Sequence, residues 1–491
     1  MRGIDLDMTI IERLAEKILF NPNKVVLRSD EVDFTFLHIG QYSDHIALRL
    51  ENVSVEKVVP VYISEDVYVL PVILGILKAG KIPLPLITSL DIKKSMERIS
   101  DIDYDTIISD SDCLGFDVDN INFIKILNKE SVVDELLNYE YELKCLDEAY
   151  IICTSGSTGI PKKVFLTESN IIWLLDTFYS LVDFTSECST LFSTLYTFDV
   201  SITEIFAPIF TGGTLHCFPK KGSGMVNLRS VSKIIREKGV THLSVTPSYA
   251  ELLSETKDGI EGLKMLKFLC LAGESFSITL GRRLTSLIGN NCRIFNLYGP
   301  AETTIYATWY ELTGSEDTAI PIGMPLNGAS VLVLNGDKDE ARQGELYIAG
   351  KGITKGYLLD NNLNNQKFSI INGVRYYATG DYVYCDDNDN LVFDCRKDEQ
   401  VQVNGVRIEL GEVYHIVSKI LCIDACRVAF SDKRLFIFYK SKNDMKSKIL
   451  ESLPKYLSPL IIQVTDFLLN PNRKLDVRMM IDTFYLNKSN V

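Results

Sequence analysis

The chain has 491 residues, 46% of them hydrophobic, which allows a large core and exceeds what one compact unit usually holds. Its formal net charge of -14 repels polyanions and excludes nucleic acid as an expected partner, although backbone amides and a few placed cations can still hold a small phosphate compound. The eleven cysteines are scattered without a C-x-x-C pair and the five histidines lie far apart, which argues against disulfides and zinc.

The first twenty residues mix charges among apolar positions and lack the uncharged core of a signal peptide, so a cytoplasmic protein is expected. FTFLHIGQYSDHIALRL (34–50) reads as a strand followed by an amphipathic helix, and KVVPVYI (57–63) as a strand. The most apolar stretch, Val67 to Leu77, is too short for the ~20 helical residues that cross a bilayer and contains Pro71 and Gly75. A core helix is expected there, and no membrane association. AYIICT (149–154), THLSVT (241–246), LKFLCLA (266–272) and CRIFNLY (292–298) read as further strands. Thr167 is placed to cap a helix whose face carries Ile171, Leu174, Leu175 and Phe178, so a strand, a loop and then a helix are expected in succession. The alternation predicts a mainly α/β body. CDDNDN (385–390) reads as a solvated turn, after which the texture changes. There Asn404-Gly405 separates VQV from VRI as a type I′ hairpin turn would, and a small α+β domain is expected.

The sharpest local signal is Thr154-Ser155-Gly156-Ser157-Thr158-Gly159-Ile160-Pro161-Lys162-Lys163, directly after an apolar strand. Glycines let the backbone approach an anion, hydroxyls and amides donate, and lysines add charge, so the segment suits phosphate. It lacks the Gly-Lys-Ser/Thr of the common P-loop, and its composition also fits a plain polar surface loop. Six other stretches accompany it in order: FDVSITEIF (198–206), NLYGPAETT (296–304), GELYIAGKGITKGYL (344–358), YATGD (377–381), RKDEQVQVNGVRIELGEV (396–413) and NPNRKLD (470–476). Singly each has a dull explanation, with Asp381 a turn residue, Glu302 a helix-start carboxylate and Lys474 a solvated charge.

Together these segments resemble the adenylate-forming enzymes, and within them the amino-acid adenylation domains of nonribosomal peptide synthetases and the D-alanine–carrier protein ligases. VTPSYA (245–250) leans toward the latter. The resemblance implies a large N-terminal α/β domain of mixed sheets flanked by helices over 1–394, and a small mobile α+β C-terminal domain over 395–491. It implies a reaction in which a carboxylate attacks the α-phosphorus of ATP, with pyrophosphate leaving, followed by transfer of the acyl group to a phosphopantetheine thiol. ATP and Mg2+ are the implied cofactors. No carrier segment follows Lys474 before Val491, so a separate phosphopantetheinylated carrier protein is the expected partner, beside an amino-acid substrate.

By resemblance Lys474 bridges carboxylate and α-phosphate as the catalytic lysine, and Glu302 is both catalytic and the metal ligand, since a hard cation shares itself between a carboxylate and phosphates. Thr154 to Gly159 with Lys162 form the phosphate loop. Asp381 matches the carboxylate that takes the ribose hydroxyls, and Arg396 the cation beside it. Adenine is placed against Tyr298, framed by Asn296 and Leu297 on one side and Gly273, Glu274 and Ser275 on the other, with Gly299 and Thr303 also assigned to nucleotide binding. Asp199 matches the aspartate that pairs with a substrate α-ammonium, because a buried carboxylate facing an apolar pocket requires a cation. The side-chain pocket maps to Val200, Thr203, Ser248, Cys270, Ala272, Leu297, Ile305 and Tyr306, none charged, which suits a small or medium uncharged side chain. Asp398 matches the hinge about which the small domain rotates.

Three positions depart from the pattern. Lys163 replaces a glycine and is expected to add charge near phosphate, Gln402 replaces a lysine, and Arg473 replaces the glycine before Lys474. His38-Ile39-Gly40-Gln41 and KKSMERIS (93–100) have the order and spacing of no synthetase signature and are chance likenesses. Acyl- or aryl-coenzyme A ligation and a non-catalytic nucleotide-binding role remain alternatives, with Asp199 weighing against the first.

Overall fold

The computed structural model describes residues 8–110, 121–133, 147–154, 161–217, 228–274, 277–396, 400–468 and 477–488. Its centre is a nine-stranded sheet. Val25–Arg28, Thr214–His216, Ser189–Leu191, His242–Val245, Phe268–Ala272 and Arg293–Tyr298 run parallel in that spatial order, with antiparallel strands at both edges. A four-stranded parallel sheet lies beside it in the order Ile82–Pro85, Val58–Tyr62, Thr106–Ser109 and Asn122–Lys125. Central parallel strands are covered on both faces, which is why Val58–Tyr62 and Phe268–Ala272 read as unbroken apolar runs rather than alternating ones. All five strands expected between residues 57 and 298 are present.

The apolar stretch after residue 66 forms helix Val69–Lys78, every residue of which is buried. It packs against helix Phe36–Val53 so closely that a Cβ on Gly75 would stand 2.6 Å from Ile46 Cβ and 2.7 Å from the Ser43 carbonyl oxygen. Thr167 caps helix Glu168–Leu181 with a reciprocal bond to Asn170, and the four face residues are buried. One expectation is corrected. A strand, Lys162–Leu166, intervenes between the glycine-rich loop and that helix, pairing antiparallel with Tyr150–Thr154. Strand alternation sends neighbouring Lys162 and Lys163 to opposite faces. Lys163 is buried in an ion pair with Asp101, so it does not supply the extra charge near phosphate that its position suggested.

A five-stranded antiparallel sheet follows, ending in strand Leu391–Arg396, whose hairpin turn is the Asp/Asn-rich segment. Beyond it come the hairpin Gln400–Val403 and Val406–Glu409, helix Leu410–Ser418 and a three-stranded sheet with further helices. Asn404 and Gly405 take φ of 50° and 79°, as a type I′ turn requires. This small α+β unit sits on the large one through the Arg98–Glu412 ion pair at 2.8 Å, the edge-to-face rings of Phe198 and Tyr456, and Ile87 and Leu195. Among the described residues no helix is long and apolar enough to cross a membrane.

Gly75→Val is expected to destabilise the large unit by about 1–3 kcal/mol through overpacking of the two helices. Chemical denaturation followed by tryptophan fluorescence measures this.

Candidate active site

Parallel strands release their chains at their carboxyl ends, where loops rather than side-chain packing form the surface, and ligands of open α/β sheets bind there. Here the ends of His242–Val245, Phe268–Ala272 and Arg293–Tyr298 open into a cavity of about 1050 Å³. Its far wall comes from Arg396 and from the hairpin residues Gln402, Asn404, Gly405 and Arg407 of the small unit.

Of the carboxylates that line this cavity, Asp199, Glu302 and Asp381 lie where the sequence motifs place the site. Asp381 lies directly opposite Arg396 in strand register and accepts from its guanidinium at 2.6 Å, while its other oxygen accepts from the Tyr298 hydroxyl. Glu302 sits on the short turn after strand Arg293–Tyr298. Its Oε1 accepts from the Tyr357 hydroxyl at 2.5 Å, and Oε2 is buried with no hydrogen-bond partner, 3.6 Å from Nη1 of Arg407. Burial alone would raise the Glu302 carboxyl, but the Arg407 charge and the Tyr357 hydrogen bond outweigh it and hold the group below its ordinary value. At Asp199 burial prevails over the opposing influences. Burial pushes its carboxyl up to about 6; the Glu302 charge adds to this, while the Val200 amide and Arg407 act against it.

The structure brings most of the expected site residues together. Thr154, Asp199, Val200, Ser248, Ala272, Gly273, Glu274 and Asn296 line the cavity, as do Leu297, Tyr298, Gly299, Glu302, Ile305, Tyr306, Asp381 and Arg396. Four do not line it. Thr203 donates to the Val200 carbonyl at 2.8 Å, Thr303 donates to the Pro300 carbonyl at 3.1 Å, Cys270 is buried in its strand, and Lys162 pairs with Glu409 at 2.5 Å. Ser248 spends its hydroxyl on Glu274. Ser155, Gly156, Ser157, Thr158, Gly159, Ser275, Asp398, Arg473 and Lys474 lie outside the described residues.

Sequence reasoning passed over several neighbours. Tyr357 and Tyr377, hydroxyls 3.2 Å apart, support Glu302 from behind. Glu204 accepts from Ser193 and Thr194 and so fixes the loop at the cavity edge. Arg407 and Glu409 reach in from the small unit. All of these stood within quoted motifs, but nothing in a linear sequence says that Arg407 meets Glu302 and Glu409 meets Lys162, each more than 100 residues away.

The family model described as "AMP-binding enzyme" matches residues 14–358. The chain belongs to this family of adenylate-forming enzymes. Among curated relatives it is 28% identical to zwittermicin A synthase ZmaJ of Bacillus cereus over 96% of itself and 94% of the relative. It is 29% identical to bacitracin synthase 1 of Bacillus licheniformis over 95% of its own length and 9% of that protein's. Against a plipastatin synthase polypeptide of Bacillus subtilis (strain 168), also 29% identical, the chain spans 18% of the relative's length. Its fold is that of solved adenylation proteins. An artificially fused adenylation–PCP di-domain, NpsA-ThdA from Klebsiella oxytoca, superposes with a TM-score of 0.81 at 21% identity, covering 92% of this chain and 93% of that one. The Vibrio cholerae adenylation domain AlmE, in complex with glycyl-adenosine-5'-phosphate, gives 0.77 at 20% identity and 99% coverage of each.

Tyr357→Phe removes a donor to Glu302, raising that carboxyl's pKa, so the acid limb of ATP-dependent activity in this AMP-binding enzyme should move to higher pH. Glu302→Gln should lower kcat/KM by about 100-fold or more. Steady-state pH–rate profiles read both.

Proposed function

We propose that this enzyme activates an amino acid as its aminoacyl-AMP and passes the acyl group to the phosphopantetheine thiol of a carrier protein. The observation that carries the reading is the position of Asp199, a carboxylate on the wall of the cavity that also presents Glu302 and Asp381. A carboxylate there is poorly solvated and asks for a cation. A substrate α-ammonium answers that need, with the substrate side chain against Val200, Ala272, Leu297, Ile305 and Tyr306, which carry no charge.

The remaining parts take roles by their chemistry. Asp381 accepts the ribose hydroxyls, since each of its oxygens retains a lone pair beyond those used by Arg396 and Tyr298. Glu302 suits a hard divalent cation because its Oε2 is a buried oxygen lacking a hydrogen-bond partner. Mg2+ bound there would neutralise phosphate charge as pyrophosphate leaves. Lys474 stabilises the pentacoordinate α-phosphate, and the phosphate loop with Lys162 holds the β- and γ-phosphates. In this arrangement the hairpin faces the cavity, as suits thiol transfer, and rotation about Asp398 brings Lys474 in for the first half-reaction.

A second reading is favoured by one likeness. The o-succinylbenzoate CoA synthetase MenE of Bacillus subtilis superposes with a TM-score of 0.79 at 18% identity, covering 96% of this chain and 98% of that one. ATP–pyrophosphate exchange with L- and D-amino acids, and with fatty and aryl acids as controls, separates the two. Exchange with a small or medium uncharged amino acid supports amino-acid activation, and exchange confined to non-amino acids with coenzyme A dependence supports ligation.

Asp199→Ala is expected to raise the amino-acid KM about 100-fold while leaving ATP binding intact. Below pH 6 the unliganded Asp199 carboxyl is protonated and loses its attraction for ammonium, so KM should climb as pH falls through about 6. Lys474→Ala should abolish exchange without loss of ATP binding, read by calorimetry.

A further inference from the structure

We propose that strand Val406–Glu409 carries an internal substitute for magnesium pyrophosphate. Arg407 takes the cation's place at Glu302 and Glu409 takes the polyphosphate's place at Lys162, so docking of the hairpin and binding of magnesium pyrophosphate exclude one another. The inference rests on the reading of Glu302 as metal ligand and Lys162 as phosphate ligand.

Two contacts carry it. Arg407 Nη1 lies 3.6 Å from Glu302 Oε2, the buried oxygen that makes no hydrogen bond. Lys162 Nζ lies 2.5 Å from Glu409 Oε1, with both side chains largely shielded from solvent. Residues two apart on a strand share a face, so one rigid strand delivers a positive and a negative charge together. Each charge meets its opposite. Directly across the hairpin from Arg407 stands Gln402. A lysine there would set a like charge beside Arg407, whereas the neutral amide leaves the guanidinium's attraction for Glu302 undiluted.

There is no slack for a compromise in which both occupants stay. A Cβ on Gly273 would meet the Gly405 carbonyl oxygen at 3.0 Å, and a Cβ on Gly405 would meet Thr246 Cγ2 at 2.2 Å. The hairpin tip is seated backbone to backbone. Glu302 and Lys162 each remain compensated only while one occupant is present, and a shielded charge without its partner is costly. Withdrawal of the hairpin leaves both ready for magnesium and phosphate; its docking requires that both have left. Pyrophosphate departure is thereby coupled to presentation of the hairpin.

The sign of one measurement tests this. Were Arg407 an ordinary phosphate ligand, removing it would weaken pyrophosphate binding. Under the substitute model, R407Q/E409Q removes the competing docked state, and magnesium pyrophosphate should bind the full chain about tenfold more tightly by calorimetry. The charge-swapped R407E/E409R keeps net charge and should tighten binding likewise, with melting temperatures confirming folded protein. Small-angle scattering of the unsubstituted protein should shift to a more extended form with magnesium pyrophosphate, but not with magnesium alone or with pyrophosphate in chelator. Equal or weaker binding by the folded variants, or scattering unchanged at saturation, overturns the proposal. The titration uses no amino acid, so absence of amino-acid-dependent exchange overturns the proposed function separately.

Discussion

An ionised carboxylate withdrawn from water must be given a countercharge or donors, or it will take up a proton. Asp199, Glu302 and Asp381 meet that demand in three different ways inside one cavity. Asp381 is answered permanently by Arg396 and Tyr298. Glu302 is answered at one oxygen by Tyr357 and at the other by a charge from the small unit. Asp199 is answered by backbone amide and is left raised. The unevenness separates the part of the site that is permanently satisfied, where a nucleoside would be held, from the parts that wait for an occupant.

That separation follows from the architecture. Asp381 and Arg396 sit opposite one another in an antiparallel ladder, so their pairing is as rigid as the sheet. Glu302 follows a parallel strand on a short turn, braced by Tyr357 and Tyr377 from two further strands, and its second oxygen points where elements of both units meet. Asp199 precedes a short helix in a loop tied down by Glu204.

Much of this was legible in the sequence. Apolar runs gave the parallel strands, because burial on both faces leaves little room for polar residues, and Asn404-Gly405 gave the hairpin because its two residues require positive φ. The ordered motifs gave the family and most cavity residues. The strand after the glycine-rich loop was missed because Lys162 and Lys163 look like one patch of charge until alternation separates them. Lys163 illustrates the limit: its position suggested phosphate, and a distant Asp101 claims it instead. Arg407 and Glu409 were visible as residues but not as partners, since pairing across units depends on how those units sit.

The hairpin has a thermal consequence. A two-stranded ribbon alone is marginal in water. This one is braced by Asn404, which donates to the Tyr456 carbonyl at 2.7 Å, and by the cavity wall around Gly273 and Thr246. Part of its order is lent by the large unit, so leaving the cavity releases chain freedom as well as contacts. Were the hairpin to leave the cavity as proposed, the balance would carry an entropic share, and warming would tilt it toward the undocked form.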